Sequence, residues 1–260
     1  MERTQLLCAR CGRENRPGAA YCDACGNALA ASASSERVLV PAAIGSGTLF
    51  IGRARELSTL DEALDQSLEG RGRMVMLAGD PGIGKTHTAE MLARRAGQRG
   101  VNVLWGRCYE EPGAPPYWPW VKLIRGYAAG RDADALRAVV GAGLHLIADI
   151  VPELAEKIPA LRLAAADTDP HARLRLLEAI AEMWKRAAED CPQLLILDNL
   201  HWADGPSLRL LEFLAAEITA SRLLVLGTYR DIELSRQHPL SNSLGELARH
   251  ACFVRLRLTG

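Results

Sequence analysis

Eight residues, Gly79-Asp80-Pro81-Gly82-Ile83-Gly84-Lys85-Thr86, set glycines, a lysine and a hydroxyl at the spacing G-x-x-x-x-G-K-[ST]. The glycines let the backbone curl until successive N–H groups point inward, and a helix starting at Lys85 would turn its positive dipole end toward the same point. The chemistry this pattern serves is phosphate binding. Lys85 would neutralise the β- and γ-phosphates of a nucleotide, and Thr86 would offer its hydroxyl to Mg2+, an ion that takes oxygen ligands and keeps several waters. Thr88, two residues further on, joins the expected nucleotide-binding set. The flanks agree with this reading, because the loop follows the apolar run MVMLA and precedes a helical pattern, which a ligand-free glycine turn would not require.

Such a loop needs a second strand that delivers a carboxylate to the metal. Leu194-Leu195-Ile196-Leu197-Asp198 supplies four aliphatic residues ending in an acid and resembles a Walker B strand. By itself this run is no more than a buried strand ending at a turn; paired with the glycine loop it makes Thr86 and Asp198 the expected magnesium ligands. The next residue is Asn199, where nucleotide hydrolases of this division commonly carry a second acid to orient the attacking water. An amide cannot act as a general base at neutral pH, so hydrolysis is expected to be slow unless another carboxylate, such as Asp204, reaches the water. A switch is expected rather than a fast motor.

The elements that must hold these residues follow an α/β rhythm. Strand-like runs at 73–78, 101–105, 194–197 and 222–228 alternate with helical patterns from Lys85, across 173–189 and after Pro206, which predicts a parallel sheet. In the 173–189 segment Leu174, Leu177, Ala181, Trp184 and Ala188 share one helical face, expected to pack on the sheet. Residues 111–169, with several prolines and short Ala and Leu stretches, read as a helical insertion. Ahead of the sheet, ALAASASSERVLVPAAIGSG at 28–47 reads as a linker, giving expected boundaries of 1–27, 28–47 and 48–260.

Four ordered segments carry a resemblance: Phe50-Ile51-Gly52-Arg53-Ala54-Arg55-Glu56-Leu57, then GDPGIGKT, then Leu197-Asp198-Asn199-Leu200-His201-Trp202-Ala203-Asp204, then Leu226-Gly227-Thr228-Tyr229-Arg230-Asp231. Together they resemble the AAA-type ATPase module of STAND regulators, a family that includes LuxR-type transcription activators and cyclase-associated proteins of bacteria. The resemblance implies a sheet of five parallel strands in the order 5-1-4-3-2, a last strand at 253–258, and nucleotide at the carboxyl ends of the strands. It implies that Ile51 and Gly52 line the adenine with Arg53 nearby, although the same segment also fits an ordinary helix start through Leu57, Leu60, Leu64 and Leu68. It makes Arg230 the sensor of the γ-phosphate, against the alternative of an exposed strand-end arginine. Lys85, Asp198, Asn199 and Arg230 are therefore the candidate catalytic positions. The family's helical lid, winged helix and effector would follow the last strand, whereas the sequence stops at Gly260, so a piece of a longer protein is expected. Self-association, with a neighbour's arginine completing the site, is a further implication.

Other reactive residue types read as structural. His201 and Trp202 shape a loop, His87 is a bystander, and Tyr117-Trp118-Pro119-Trp120 is core packing. Arg94-Arg95 reads as a solvated helix face, and Cys108, Cys191 and Cys252 as small buried hydrophobes.

The head of the chain carries a different chemistry. Cys8-x-x-Cys11 and Cys22-x-x-Cys25, each followed by glycine and separated by ten residues, match the four thiolates of tetrahedral Zn2+. A segment this short and polar needs metal to fold, and a redox C-x-x-C would instead sit singly near a βαβ unit. The segment resembles the zinc ribbons at the front of bacterial ATPase and cyclase regulators. Arg3, Arg10, Arg13 and Arg16 against Glu2, Glu14 and Asp23 leave residues 1–30 at only +1, with Tyr21 the single aromatic. Protein contact or structural capping therefore outranks nucleic-acid binding.

Composition bounds the rest. The 260 residues hold 31 basic and 31 acidic side chains, 48% hydrophobic residues and seven cysteines, with a pI of about 7.0. Zero net charge argues against a protein that coats polyanions. The longest apolar stretch, 139–151, is broken by His145 and Asp149, and the start lacks a secretion signal, so a cytoplasmic protein without a membrane span is expected. The leading expectation is a regulatory ADP/ATP switch. A zinc-dependent adaptor with a structural nucleotide site, and a small-molecule kinase using the same loop, are the competing ones.

Overall fold

A computed structural model describes residues 53–110, 115–158, 171–235 and 237–259, together with the backbone of Leu6–Leu7 and Glu14–Asn15. The chain divides into two units, Met1–Ser46 and Gly47–Gly260. In the first, Leu6–Leu7 pairs antiparallel with Glu14–Asn15. Cys8, Cys11, Cys22, Cys25, the segment 28–47, Ile51 and Gly52 lie outside the described residues.

The second unit is built on five strands, β1 (Arg73–Ala78), β2 (Asn102–Arg107), β3 (Gln193–Asp198), β4 (Leu223–Tyr229) and β5 (Phe253–Arg257). All pair in parallel, in the order 2-3-4-1-5. This is the implied order read from the opposite edge. The chain has the α/β P-loop fold of AAA type.

Alternation along the central strands explains why both faces are covered. Met74, Met76 and Ala78 of β1, Leu195 and Leu197 of β3, and Leu223 and Val225 of β4 enter one core. Val75 and Leu77, Leu194 and Ile196, and Leu224 and Leu226 enter the other. Strands buried on both sides read as continuous aliphatic runs, which is why MVMLA and LLIL stood out.

Helices α1 (Ala54–Leu68) and α2 (Lys85–Gln98) cover the second face through Leu60, Leu64, Ala89, Leu92 and Ala96. Asp61 of α1 pairs with Arg95 of α2. Arg94 is exposed as expected, but Arg95 is a bridge between helices rather than a merely solvated side chain.

The first face takes the insertion, which is helical as expected: α3 (Trp118–Ala129), α4 (Ala133–Val140), α5 (Leu144–Ile150) and α6 (Glu153–Lys157). It also takes α7 (Ala172–Asp190), α8 (Gly205–Glu217) and α9 (Pro239–Leu247). Trp120 and Tyr117 are buried and Trp118 is half-buried, so the aromatic cluster packs in the core. The packed face of α7 runs through Ile180, Met183, Trp184 and Ala187. Leu174, in its first turn, is 47% exposed, so the expected face holds only for the later turns. Cys108 and Cys252 are buried, whereas Cys191 is half-exposed with its thiol 3.3 Å from Gly100 O. No helix among the described residues is long and apolar enough to cross a membrane.

Candidate functional site

The glycine loop joins β1 to α2 at the carboxyl edge of the sheet. Gly82 and Gly84 adopt φ of +76° and +97°, and a Cβ at either would meet nothing within 4 Å. Backbone conformation rather than space selects glycine there. Gly84 caps α2, whose first N–H groups face the loop. Asp80, Pro81 and Gly82 form an exposed crown, while Lys85 is only 7% exposed. Its Nζ donates to Gly79 O at 2.9 Å and Asp80 O at 2.8 Å. Burial lowers the Lys85 pKa, Arg230 adds to that effect, and Asp198, Asp80 and Asp231 oppose it.

Asp198 ends β3 beside this loop and is 1% exposed. Its Oδ1 accepts from Thr228 Oγ1 at 2.6 Å and from Thr86 Oγ1 at 3.3 Å. Its Oδ2 accepts from Arg107 Nε at 3.1 Å. The P-loop helix, β2, β3 and β4 therefore all meet at one carboxylate. The register explains the convergence, because Arg107 lies opposite Asp198 while Leu197 lies opposite Gly227, the residue before Thr228.

Asn199 leaves the strand in the left-handed region at φ 64°, which asparagine tolerates better than most side chains. Its N–H donates to Thr228 Oγ1 at 3.0 Å. Asp204 does not stand free beside it. The carboxylate caps α8, accepting from Ser207 N at 2.8 Å, Ser207 Oγ at 2.6 Å and Tyr117 N at 3.2 Å. In this arrangement Asp204 is a structural acceptor rather than a water-activating base.

Arg230 follows β4, pairs with Glu233 at 2.6 Å and lies over the Trp202 ring at 5.1 Å. Its charge reaches Lys85. His201 is buried, and that burial, reinforced by Arg230 and Lys85 and opposed by Glu233 and Asp198, lowers its pKa to about 4. It is a neutral packing group at pH 7, as expected. His87 sits 3.5 Å from Glu90 on α2. Arg53, immediately before α1, donates to Ile83 O and so ties this segment to the loop. Thr88 is fully buried, its hydroxyl bonded to Gly84 O at 2.9 Å.

The residues present fit a magnesium nucleotide. An inward-curling loop, a lysine at its base, and a hydroxyl and a carboxylate within hydrogen-bond distance form the donor set that a phosphate-bound hard cation takes. Sequence reasoning missed Arg107 and the capping role of Asp204. Arg107 depends on a partner 91 positions away, for which no local pattern exists. The Asp204 cap, by contrast, acts on Ser207 three residues on, and Asp204-Gly205-Pro206-Ser207 is a local helix-start signal that the sequence reading passed over.

Comparison with known proteins places this geometry. Residues 49–226, more than half of the chain, match the family model described as AAA ATPase domain. Curated protein sequences give no match. Among solved structures the chain is similar to Cdc6p from Pyrobaculum aerophilum, at 20% identity and a TM-score of 0.46 over 82% of this chain and 46% of that one. It is also similar to the STAND protein with a tetratricopeptide repeat sensor, PH0952, from Pyrococcus horikoshii, at 17% identity and a TM-score of 0.40 over 82% of this chain and 24% of that one. AMPPCP-bound DnaA from Aquifex aeolicus is a third, at 15% identity and a TM-score of 0.39 over 81% of this chain and 48% of that one. The chain thus spans less than half the length of each. By the family match and the loop it contains, the chain belongs to the AAA ATPase domain family.

Proposed function

We propose that the 48–260 module binds Mg·ATP and Mg·ADP and works as a nucleotide switch with slow hydrolysis, within a bacterial regulator of the transcriptional or cyclase-associated kind. The observation that carries this reading is the convergence on Asp198 of Thr86 from the loop helix and Thr228 from β4. The backbone of Gly79, Asp80, Pro81, Gly82, Ile83 and Gly84 would cradle the phosphates, with Lys85 on the β- and γ-oxygens and Thr86 and Asp198 toward Mg2+. Thr88 would act from behind, by fixing the Gly84 carbonyl. Ile51, Gly52 and Arg53 would border the base, and Arg230 would read the γ-phosphate.

Asn199 supports slow turnover, because an amide accepts no proton from water at neutral pH and the nearest following acid is spent on a helix cap. Cys8, Cys11, Cys22 and Cys25 would hold Zn2+ in a ribbon over 1–27, joined by 28–47 and used for protein contact; a four-thiolate donor set suits that ion. The same proposal makes the protein cytoplasmic and allows ATP-dependent self-association.

The test is to mix purified protein with labelled Mg·ATP and follow bound nucleotide and released phosphate together, with Lys85→Ala as the blank. Retained nucleotide with phosphate release near the blank is expected. Equal nucleotide retention by Lys85→Ala would remove the site.

A further inference from the structure

Asp198 already meets a cation. Arg107, the last residue of β2, stands opposite it in the parallel register, and its Nε and Nη2 both approach Oδ2 at 3.1 Å. Oδ1 is engaged separately by Thr228 and Thr86. A carboxylate removed from water needs a counter-charge. Lys85 acts on Asp198 through space but directs its hydrogen bonds to two carbonyls of its own loop, so the guanidinium of Arg107 is the cation in direct contact with the carboxylate.

The two partners are not equally held. The Asp198 side chain is 1% exposed, whereas that of Arg107 is 45% exposed. Asp198 is fixed by its strand and by the short bond from Thr228. The backbone beyond Arg107 is fixed as well, because Cys108 N donates to Asp198 O at 2.9 Å. The arginine side chain, by contrast, has water on one side.

We propose that Arg107 is a positioning residue that neutralises Asp198 while no metal is bound, and that Mg2+ arriving with nucleotide would compete with it for the carboxylate. The inference rests on reading this site as one for a magnesium nucleotide. A guanidinium and a hydrated divalent ion repel each other at a shared carboxylate, so occupation by one weakens the other. Arg107 therefore supplies the counter-charge of the buried carboxylate in the absence of metal and raises the Mg2+ concentration at which the metal is captured. Metal capture swings its side chain off Asp198.

The experiment uses the full 260-residue chain and a fluorescent ADP analogue, bound first in EDTA and then titrated with Mg2+, with Mn2+ paramagnetic resonance as a direct count of bound metal. Arg107→Gln keeps hydrogen-bonding capacity without charge, and Arg107→Lys keeps the charge. Half-saturating Mg2+ is expected to fall about three- to tenfold in Arg107→Gln and to return toward wild type in Arg107→Lys. An unchanged or higher value in a folded Arg107→Gln protein that binds the analogue would overturn the inference and leave the nucleotide site standing. No binding of the analogue by wild type would overturn both. If Arg107→Gln does not fold, wild-type arginine Nε–H NMR decides: the Arg107 signal should shift on adding Mg2+ to the nucleotide complex, and a signal unmoved by the metal would refute competition.

Discussion

Thr228 Oγ1 donates to Asp198 Oδ1 at 2.6 Å while accepting from the N–H of Asn199, so one buried hydroxyl on β4 satisfies both the acid and the turn that follows it. Thr228→Val keeps the shape but leaves the carboxylate one donor short and the N–H without its acceptor. A loss of about 2–3 kcal/mol in urea unfolding is expected, with Thr228→Ser recovering most of it.

Asp204 joins the insertion to the sheet module. Its carboxylate holds the first turn of α8 and also the N–H of Tyr117, which sits at φ 63° just before α3. Asp204→Ala should cost about 1–2 kcal/mol of stability. Asp204→Asn keeps an acceptor oxygen, and its phosphate release per bound ATP should match wild type. A large drop in release in Asp204→Asn would show that the carboxylate activates water.

His201 gives stability a pH dependence whose sign follows from its lowered pKa. An unfolded histidine takes up a proton near 6.5, whereas the folded one resists until about 4. The contribution of the neutral ring is therefore complete above about 6.5 and declines as pH falls toward about 4, by up to about 3 kcal/mol. Denaturant midpoints of wild type against His201→Gln across this window check it: the variant should be less stable at pH 7 and should show a flatter decline.

The left-handed backbone at Asn199 makes a separate forecast. Asn199→Ala should cost about 1 kcal/mol, and Asn199→Gly should be nearly neutral, since only the former penalises that conformation. Thermal unfolding of the two variants separates backbone strain from any loss of amide contacts, which both share.

Much of the frame was legible locally. The aliphatic runs of β1 and β3 needed no partner to be recognised, because strands covered on both faces are apolar at every position. The glycine loop was legible because phosphate cradles demand backbone conformations that few residues adopt. The strand order came from the family resemblance, not from periodicity. What stayed hidden was pairing at long range. Arg107 carried no local signal and Arg95 read as solvent-facing, until the sheet and helices brought Asp198 and Asp61 within reach, and the bond from Tyr117 N to Asp204 was equally out of local sight. Leu174 erred in the other direction, because helical periodicity assigns a face but not the turn at which its support ends.

The strand order has a consequence for how the protein is made. β1, which launches the phosphate loop, has as its lateral neighbours β4 and β5, the last two strands of the described sheet. A nascent chain that has emerged only as far as α8 carries the whole glycine motif and Asp198 but neither flank of the strand that aims the loop. The cradle is therefore assembled only after β4 and β5 have emerged. Ribosome-bound chains halted before residue 223 should fail to retain nucleotide that chains released after residue 257 hold.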